Sequence, residues 1–472
     1  MKLIILLISL FTINISAQVD YQKYFTDACL RIHYYHYGNL NEEEVVPGKF
    51  YQDSLWAGSR VNLIDTLNLG AYLIKVSDLS SNLLIYSYGF STLFNEWRTT
   101  GEALAGNSKV IEEVVRIPFP KHKILVELFK RDKQNHFTKV IGNWVIDPNS
   151  GEIRKENRAT GVRVFDILSN GSPAQKVDLA FLAEGYNQSE MEKFEADVNR
   201  FIDLLFQTEP FKTEKENFNI LAVFKPSVDS GVDDPARNQY KNTVLNASFN
   251  TFGSQRYLMT FDQLAVTDIA SAVPHDALYV LVNSNVYGGG GIYNLYACIT
   301  VDNKWSDNIF IHEFGHSFGG LGDEYYTSDV AYNDFYPTTV EPWEPNLTVL
   351  LNPNRVKWEK FILAGTPIPT PWGKDKFDQE NKDYSGRYKK LNPENNSNKK
   401  MNNLSESHQE WINHFFDNHP EKNKIGAFEG AGYASSGIYR PALECIMFSN
   451  RKIAFDPVCA DAIWKRILFL SR

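Results

Sequence analysis

Cysteine is scarce. Four residues in 472, Cys29, Cys298, Cys445 and Cys459, cannot form the disulfide framework that holds small secreted domains together, so buried apolar cores must carry the stability. Only Cys445 and Cys459 are close enough in sequence to suggest a specific pair. Long apolar runs are also missing. The one candidate opens the chain, "MKLIILLISLFTINISAQ", and its roughly dozen apolar residues fall short of the ~20 needed to span a bilayer. One lysine, an apolar stretch and then Ala17 ahead of Gln18 make the layout of a cleavable secretory signal over residues 1–17. The absence of a cysteine directly after the run weighs against a lipoprotein. No later segment is apolar enough to cross a membrane, so the chain is expected to be exported, to the periplasm, cell surface or medium, with no integral membrane segment after signal removal. A basic excess is lacking too: 48 Lys and Arg face 57 Asp and Glu, a formal charge of −9. The acids are spread along the chain, which argues against nucleic acid or anionic membrane as a partner, since both need clustered cations.

What is present fits a soluble globular protein of two or three domains, with 43% apolar residues. Residues 18–160 read as an all-β, sandwich-like N-terminal domain. Short alternating runs such as "AYLIKVSD", "NLLIYSYGF" and "KILVELFK" recur there between Asn, Asp, Gly and Pro clusters. The polar stretch "SNGSPAQK" (Ser169–Lys176) reads as a separator, and residues 170–472 follow with strand and helix alternation of α/β type. Strands are expected at "VDLAFLAEG", "FNILAVF", "ALYVLVN" and "LYACITV". A helix is expected after Asn187 or Ser189, each with a glutamate three residues on at capping-box spacing. A polar tract from Lys374 to Ser407, containing "NPENNSNKKMNN", reads as a mobile surface insertion.

The chemistry centres on "IFIHEFGHSFGGLGDEYY" (309–326). On a helix, His312 and His316 sit about 40° apart, with Glu313 inside the same arc. One Zn²⁺ can then meet both imidazoles while the carboxylate overhangs a coordinated water as general base. Ser306 or Asp307 offers a helix cap, and Gly319, Gly320 and Gly322 permit the exit to turn back toward the metal. The next metal-competent side chains are Asp323 and Glu324. In the metzincin string HExxHxxGxxH the third ligand is a histidine ten residues after the first, where this chain has Gly322. Asp323 stands one residue later and is the favoured third ligand, a carboxylate being a legitimate zinc partner; Glu324 or a more distant group is the alternative. "DSGVDDP" (Asp229–Pro235) could hold Ca²⁺ through clustered carboxylates, though a solvated acidic loop is the preferred reading. His408, His414 and His419 lack helical ligand spacing and read as surface.

The chain resembles the secreted bacterial zinc metallopeptidases of the IgA-peptidase family, relatives of the metzincins. The resemblance is carried by "VDLAFLAEGY", "NTFGSQRYLMT", "HEFGHSFGGLGDEYY", "FEGAGYASSGIYRPALECIMFSN" and "DPVC". It implies an α/β (α+β) metzincin-like zinc peptidase domain preceded by the all-β, sandwich-like domain, one catalytic Zn²⁺ and a protein or peptide substrate. It also implies that Met447, in "CIMFS", packs in a turn under the metal. Some metzincins place a metal-binding tyrosine two residues after this methionine; here the position is Ser449, which leaves Tyr325, Tyr326, Tyr433 and Tyr439 as candidates to aid the oxyanion. A Cys445–Cys459 bridge, formed after export, would close a loop behind the Met447 turn and stabilise it by ~3 kcal/mol in the loop-entropy model. The glycines of "YGGGGIYNLYACIT" stand where metzincin folds carry the edge strand that pairs with extended substrate; a flexible hairpin turn is the alternative. The expectation is an exported zinc endopeptidase, and no sequence feature sets its oligomeric state. Its rivals are a binding protein with structural or vestigial zinc, and another zinc hydrolase such as an amidase.

Overall fold

The computed structural model describes residues 18–53, 55–326, 336–391 and 398–472; the expected leader, 1–17, lies outside the described residues. The N-terminal half is built from β1 (Phe25–Gly38), β2 (Glu43–Asp53), β3 (Tyr72–Asp78), β4 (Leu84–Phe90), β5 (Lys109–Pro120), β6 (Ile124–Arg131), β7 (Phe137–Ile146) and β8 (Ile153–Arg154). They form two four-stranded sheets, in the orders β5-β1-β2-β8 and β4-β3-β6-β7. Alternation decides which faces turn inward. In β3 every second residue is buried, so Tyr72, Ile74 and Val76 face a common core with Leu30 and Ile32 of β1, Ile117 of β5 and Val126 and Leu128 of β6. This is the all-β layout expected from the alternating runs.

The second half is organised by one six-stranded sheet. Its strands are β9 (Arg163–Leu168), β10 (Val177–Glu184), β11 (Phe218–Phe224), β12 (Ala277–Val282), β13 (Gly289–Ile292) and β14 (Tyr296–Thr300), in the order β13-β14-β12-β10-β11-β9. The four central strands are parallel and the two edges antiparallel. All eight residues of β10 are buried, as a strand covered on both faces requires. The polar stretch Ser169–Lys176, read from sequence as a separator, instead joins β9 to β10 inside this sheet. Asn219 of β11 holds it there by accepting from the amides of Asn170 and Gly171.

Helices α1 (Met191–Leu205), α2 (Gln263–Ala270) and α3 (Ser306–Ser317) cover the sheet, and α4 (Lys374–Lys390), α5 (Asn398–Asp417) and α6 (Pro457–Leu470) follow. Asn187 and Glu190 form the capping box ahead of α1, and Phe194, Val198, Phe201 and Leu205 present its apolar stripe to the core. Phe310 of α3 stacks between Phe201 and Tyr279, at 4.7 and 4.6 Å between ring centres. The Tyr279 hydroxyl donates to the Phe310 carbonyl at 2.9 Å, locking α3 to β12. A two-stranded hairpin, β15 (Phe428–Ala431) and β16 (Ala434–Arg440), flanks α3's exit.

The Lys374–Ser407 tract differs from the expected mobile insertion. Apart from 392–397, outside the described residues, it is helical, and α4 and α5 pack together. Phe377 stands 5.7 Å from Phe415 and 5.4 Å from Phe416 between ring centres. A few aromatics are enough to dock two helices whose remaining faces are polar. Among the described residues no helix is long and apolar enough to cross a membrane.

Candidate metal centre

Helix α3 begins without the side-chain cap expected from Ser306 or Asp307. Its cap position is Trp305, and Ser306 instead donates to the Thr300 carbonyl at 2.6 Å, tying the helix start to β14. At its far end the chain reverses through Gly320, whose φ of +65° lies in the left-handed region that favours glycine. That reversal returns Asp323 to the helix. Asp323 Oδ1 lies 3.1 Å from His312 Nε2 and 3.2 Å from His316 Nε2, and the two Nε2 atoms are 3.1 Å apart. A tetrahedral zinc ~2.0–2.1 Å from each of three ligands spaces them by ~3.3 Å. The observed triangle fits such an ion closely.

The outer nitrogens are fixed as well. His312 Nδ1 donates to the Ile446 carbonyl at 3.0 Å and His316 Nδ1 to the Leu321 carbonyl at 2.6 Å, so both Nε2 lone pairs turn to the centre. The Tyr433 hydroxyl donates to Asp323 Oδ2, leaving Oδ1 toward the histidines. Burial, the largest influence on Asp323, works against its charge, but the two histidines override it and hold its pKa well below the carboxylate range. Burial likewise opposes a proton on His316, yet Asp323 raises its pKa to about 10. A metal occupying the triangle must displace that proton. For Glu313, burial is the largest influence and pushes its pKa up; the histidines and Arg256 pull the other way.

Three donors around one point, with the Glu313 carboxylate beside them and an edge strand alongside, make a candidate metal centre. A family model described as IgA Peptidase M64 matches residues 165–467, and one described as Peptidase M64 N-terminus matches 20–141. The chain belongs to this peptidase family. No curated protein matches it.

In this M64 peptidase Met447 is fully buried, and its Sδ lies 2.7 Å from where a Cβ on Gly315 of α3 would stand. Cys445 and Cys459, suggested from sequence as a bridge, are free thiols with their sulfurs 3.7 Å apart, against ~2.05 Å for a bond. Glu324, the alternative ligand, points away from the triangle toward Cys459 and Asn346. The acidic loop does not assemble a calcium cage: Asp229 accepts from the Asn242 amide, Asp233 from the Lys241 amide, and Asp234 pairs with Arg237. Of the four tyrosines, Tyr325 stacks on His312 and Tyr433 supports Asp323, while Tyr326 donates to Asp378 and Tyr439 lies in β16.

Sequence reasoning missed two contributors. Arg256, inside the quoted "NTFGSQRYLMT", hydrogen-bonds with Tyr287 and Tyr325 and acts electrostatically on Glu313. It is the sole cation of that segment, the only signal that could have singled it out. Glu96, from the short helix Leu93–Trp97 of the N-terminal half, comes within electrostatic reach of His316, Asp323 and Glu313, and burial pushes its pKa up to about 7. No local pattern marks it.

Proposed function

We propose that this peptidase is an exported, zinc-dependent endopeptidase with a metzincin-like catalytic half. The observation that carries the reading is the equilateral triangle of His312 Nε2, His316 Nε2 and Asp323 Oδ1 with Glu313 beside it. These three side chains would hold the ion. When bound, zinc supplies Lewis acidity toward the scissile carbonyl and acidifies a coordinated water. Glu313 takes the proton from the attacking water and returns it to the leaving amine. Burial raises its pKa, which makes its carboxylate a better acceptor for that proton. Arg256 with Tyr287 and Tyr325 supplies donors for the charge that develops on the carbonyl oxygen, a term typically worth ~3–4 kcal/mol per donor.

Substrate is held in extended form along β13. That strand forms one edge of the large sheet, and Gly289 is bonded on its outer side to Arg256 and Leu258. Backbone pairing with the rest of the edge is tolerant of substrate sequence. Met447 and the Ile446 carbonyl form the floor under the histidines. Export follows from the leader layout of residues 1–17, and the substrate class is polypeptide; the family description makes immunoglobulin A one protein to include among the substrates tried. The test is digestion of a complex peptide library and of intact proteins, with and without a chelator, followed by sequencing of the new termini. Internal cuts that vanish with chelator and return with Zn²⁺ are expected. Chelator-insensitive cleavage, or trimming from chain ends alone, would overturn the proposal.

A further inference from the structure

Behind the first triangle lies a second group of potential ligands. Glu324, Cys445, Asp456 and Cys459 each offer an atom within 4.8 Å of every other, and their relative exposures are 0%, 4%, 5% and 0%. They come from three separate segments. Glu324 follows Asp323, Cys445 stands two residues before Met447, and Asp456 and Cys459 open α6, where Asp456 Oδ1 caps the amides of Val458 and Cys459.

Two buried carboxylate oxygens of this group have no hydrogen-bond partner. Glu324 Oε1 accepts from Asn346 at 2.9 Å and from the Cys459 thiol at 3.3 Å, but Oε2 has no hydrogen bond; Asp456 Oδ1 makes the cap, and the Asp456 carboxylate otherwise faces only the thiols of Cys445 and Cys459. Orphaned oxygens at such depth are costly unless something else satisfies them. The spacing says what would. A tetrahedral ion at ~2.3 Å from sulfur and ~2.0 Å from oxygen separates two sulfurs by ~3.8 Å and a sulfur from an oxygen by ~3.5 Å. Cys445 Sγ and Cys459 Sγ are 3.7 Å apart, and Cys459 Sγ is 3.3 Å from Glu324 Oε1.

We propose that Glu324, Cys445, Asp456 and Cys459 form a second, closed site for a thiophilic divalent ion of the zinc class, structural in role. Two thiolates select a soft or borderline ion, and four protein ligands leave no position for substrate. Such an ion would clamp the loop that carries Asp323 to the turn that carries Met447 and to the start of α6. It would also keep the two thiols from oxidising in an exported protein.

The test is a metal count on the full-length protein, purified with a thiol reductant, loaded with Zn²⁺ and freed of excess. Two equivalents are expected in the wild type, and one in His316→Ala. The Co²⁺-loaded His316→Ala protein should show the near-ultraviolet sulfur-to-cobalt charge-transfer band of a thiolate site. A double Cys445→Ser, Cys459→Ser variant should lose one equivalent and that band; should it fail to fold, the His316→Ala count and spectrum still decide. No metal in His316→Ala, no thiolate band, or a Cys445–Cys459 disulfide in the protein as exported would each overturn the second site. A wild type that holds only one equivalent, unchanged by His316→Ala and lost with the cysteines, would support the second site while sinking the catalytic reading.

Discussion

Gly291 of the edge strand runs so close under α3 that a Cβ on it would overlap the Glu313 carbonyl oxygen. The strand proposed to hold substrate and the helix that carries the base are therefore in backbone contact. Their separation is set by a missing side chain.

Gly291→Ala is accordingly expected to push β13 and α3 apart. Overpacking of this kind typically costs ~1–3 kcal/mol, and a sub-ångström shift of Glu313 relative to substrate lowers turnover further. A lowered Tm together with a fall in kcat/KM is the expected outcome. Unchanged values of both would mean that the strand can yield without disturbing the site.

A second prediction concerns the N-terminal half. Glu43 is buried and accepts from His36 Nε2 at 3.0 Å, Tyr72 at 2.6 Å, Arg98 at 2.8 Å and Lys130. His36 also bonds Glu113 and stacks at 3.9 Å on Phe94, whose amide donates to Glu113; this holds the short helix that presents Glu96 to the candidate metal centre. Removing one partner from a buried charge network typically costs ~3–5 kcal/mol, so Glu43→Gln should lower Tm markedly. The pH dependence has a definite sign. Burial opposes the charge on Glu43, but its partners depress its pKa below the ordinary 4.5, so its contribution is present above that value and lost as pH falls. Burial also opposes charge on His36, but Glu113 and Glu43 raise its pKa above 6.5, so its contribution is full below that value and lost as pH rises through the raised one. The Tm gap between wild type and Glu43→Gln should be widest between these two values and shrink in strong acid. A gap flat from pH 3 to 8 would contradict the assignment.

The sequence made part of this legible, and the reasons are physical. The histidine pair, its glutamate and the capping box at Asn187 and Glu190 are local patterns, readable because helical geometry brings neighbours at three and four residues together. Asp323 was within reach because Gly320 lies only a few residues from it. Glu96 and Arg256 arrive from 217 and 57 residues before Glu313, and no periodicity encodes such meetings. The helices of 374–417 were hidden for a different reason. Their polarity looks like disorder, and only the spacing of Trp372, Phe377, Trp411 and Phe415 distinguishes a docked pair of helices from a tail.

Tyr433 offers a test of how Asp323 is held. Its hydroxyl donates to Asp323 Oδ2 while Oδ1 faces both histidines. Loss of a supporting bond of this kind typically weakens metal binding ~10–100-fold. Tyr433→Phe should therefore bind zinc more weakly in competition with a chelator yet regain most activity at saturating zinc. Asp323→Ala should not be rescued. Equal zinc affinity in wild type and Tyr433→Phe would show that Asp323 needs no such support.

The decisive variant is at Glu313. Glu313 is not part of the donor triangle formed by His312, His316 and Asp323, so Glu313→Ala and Glu313→Gln should keep the zinc that those residues hold. The glutamine keeps the shape but cannot accept a proton at ordinary pH, and general acid–base assistance is worth ~10²–10⁴ in rate, or roughly 3–5 kcal/mol of barrier. Both variants are therefore expected to be metal-replete and to lose nearly all turnover. His312→Ala should lose turnover together with the ion, because it removes one corner of the triangle. Zinc by elemental analysis and cleavage of a substrate drawn from the peptide library measure the two properties separately. A zinc-replete Glu313→Ala protein that cuts at close to the wild-type rate would remove Glu313 as the base and move the search to Glu96, a second carboxyl within electrostatic reach of His316 and Asp323.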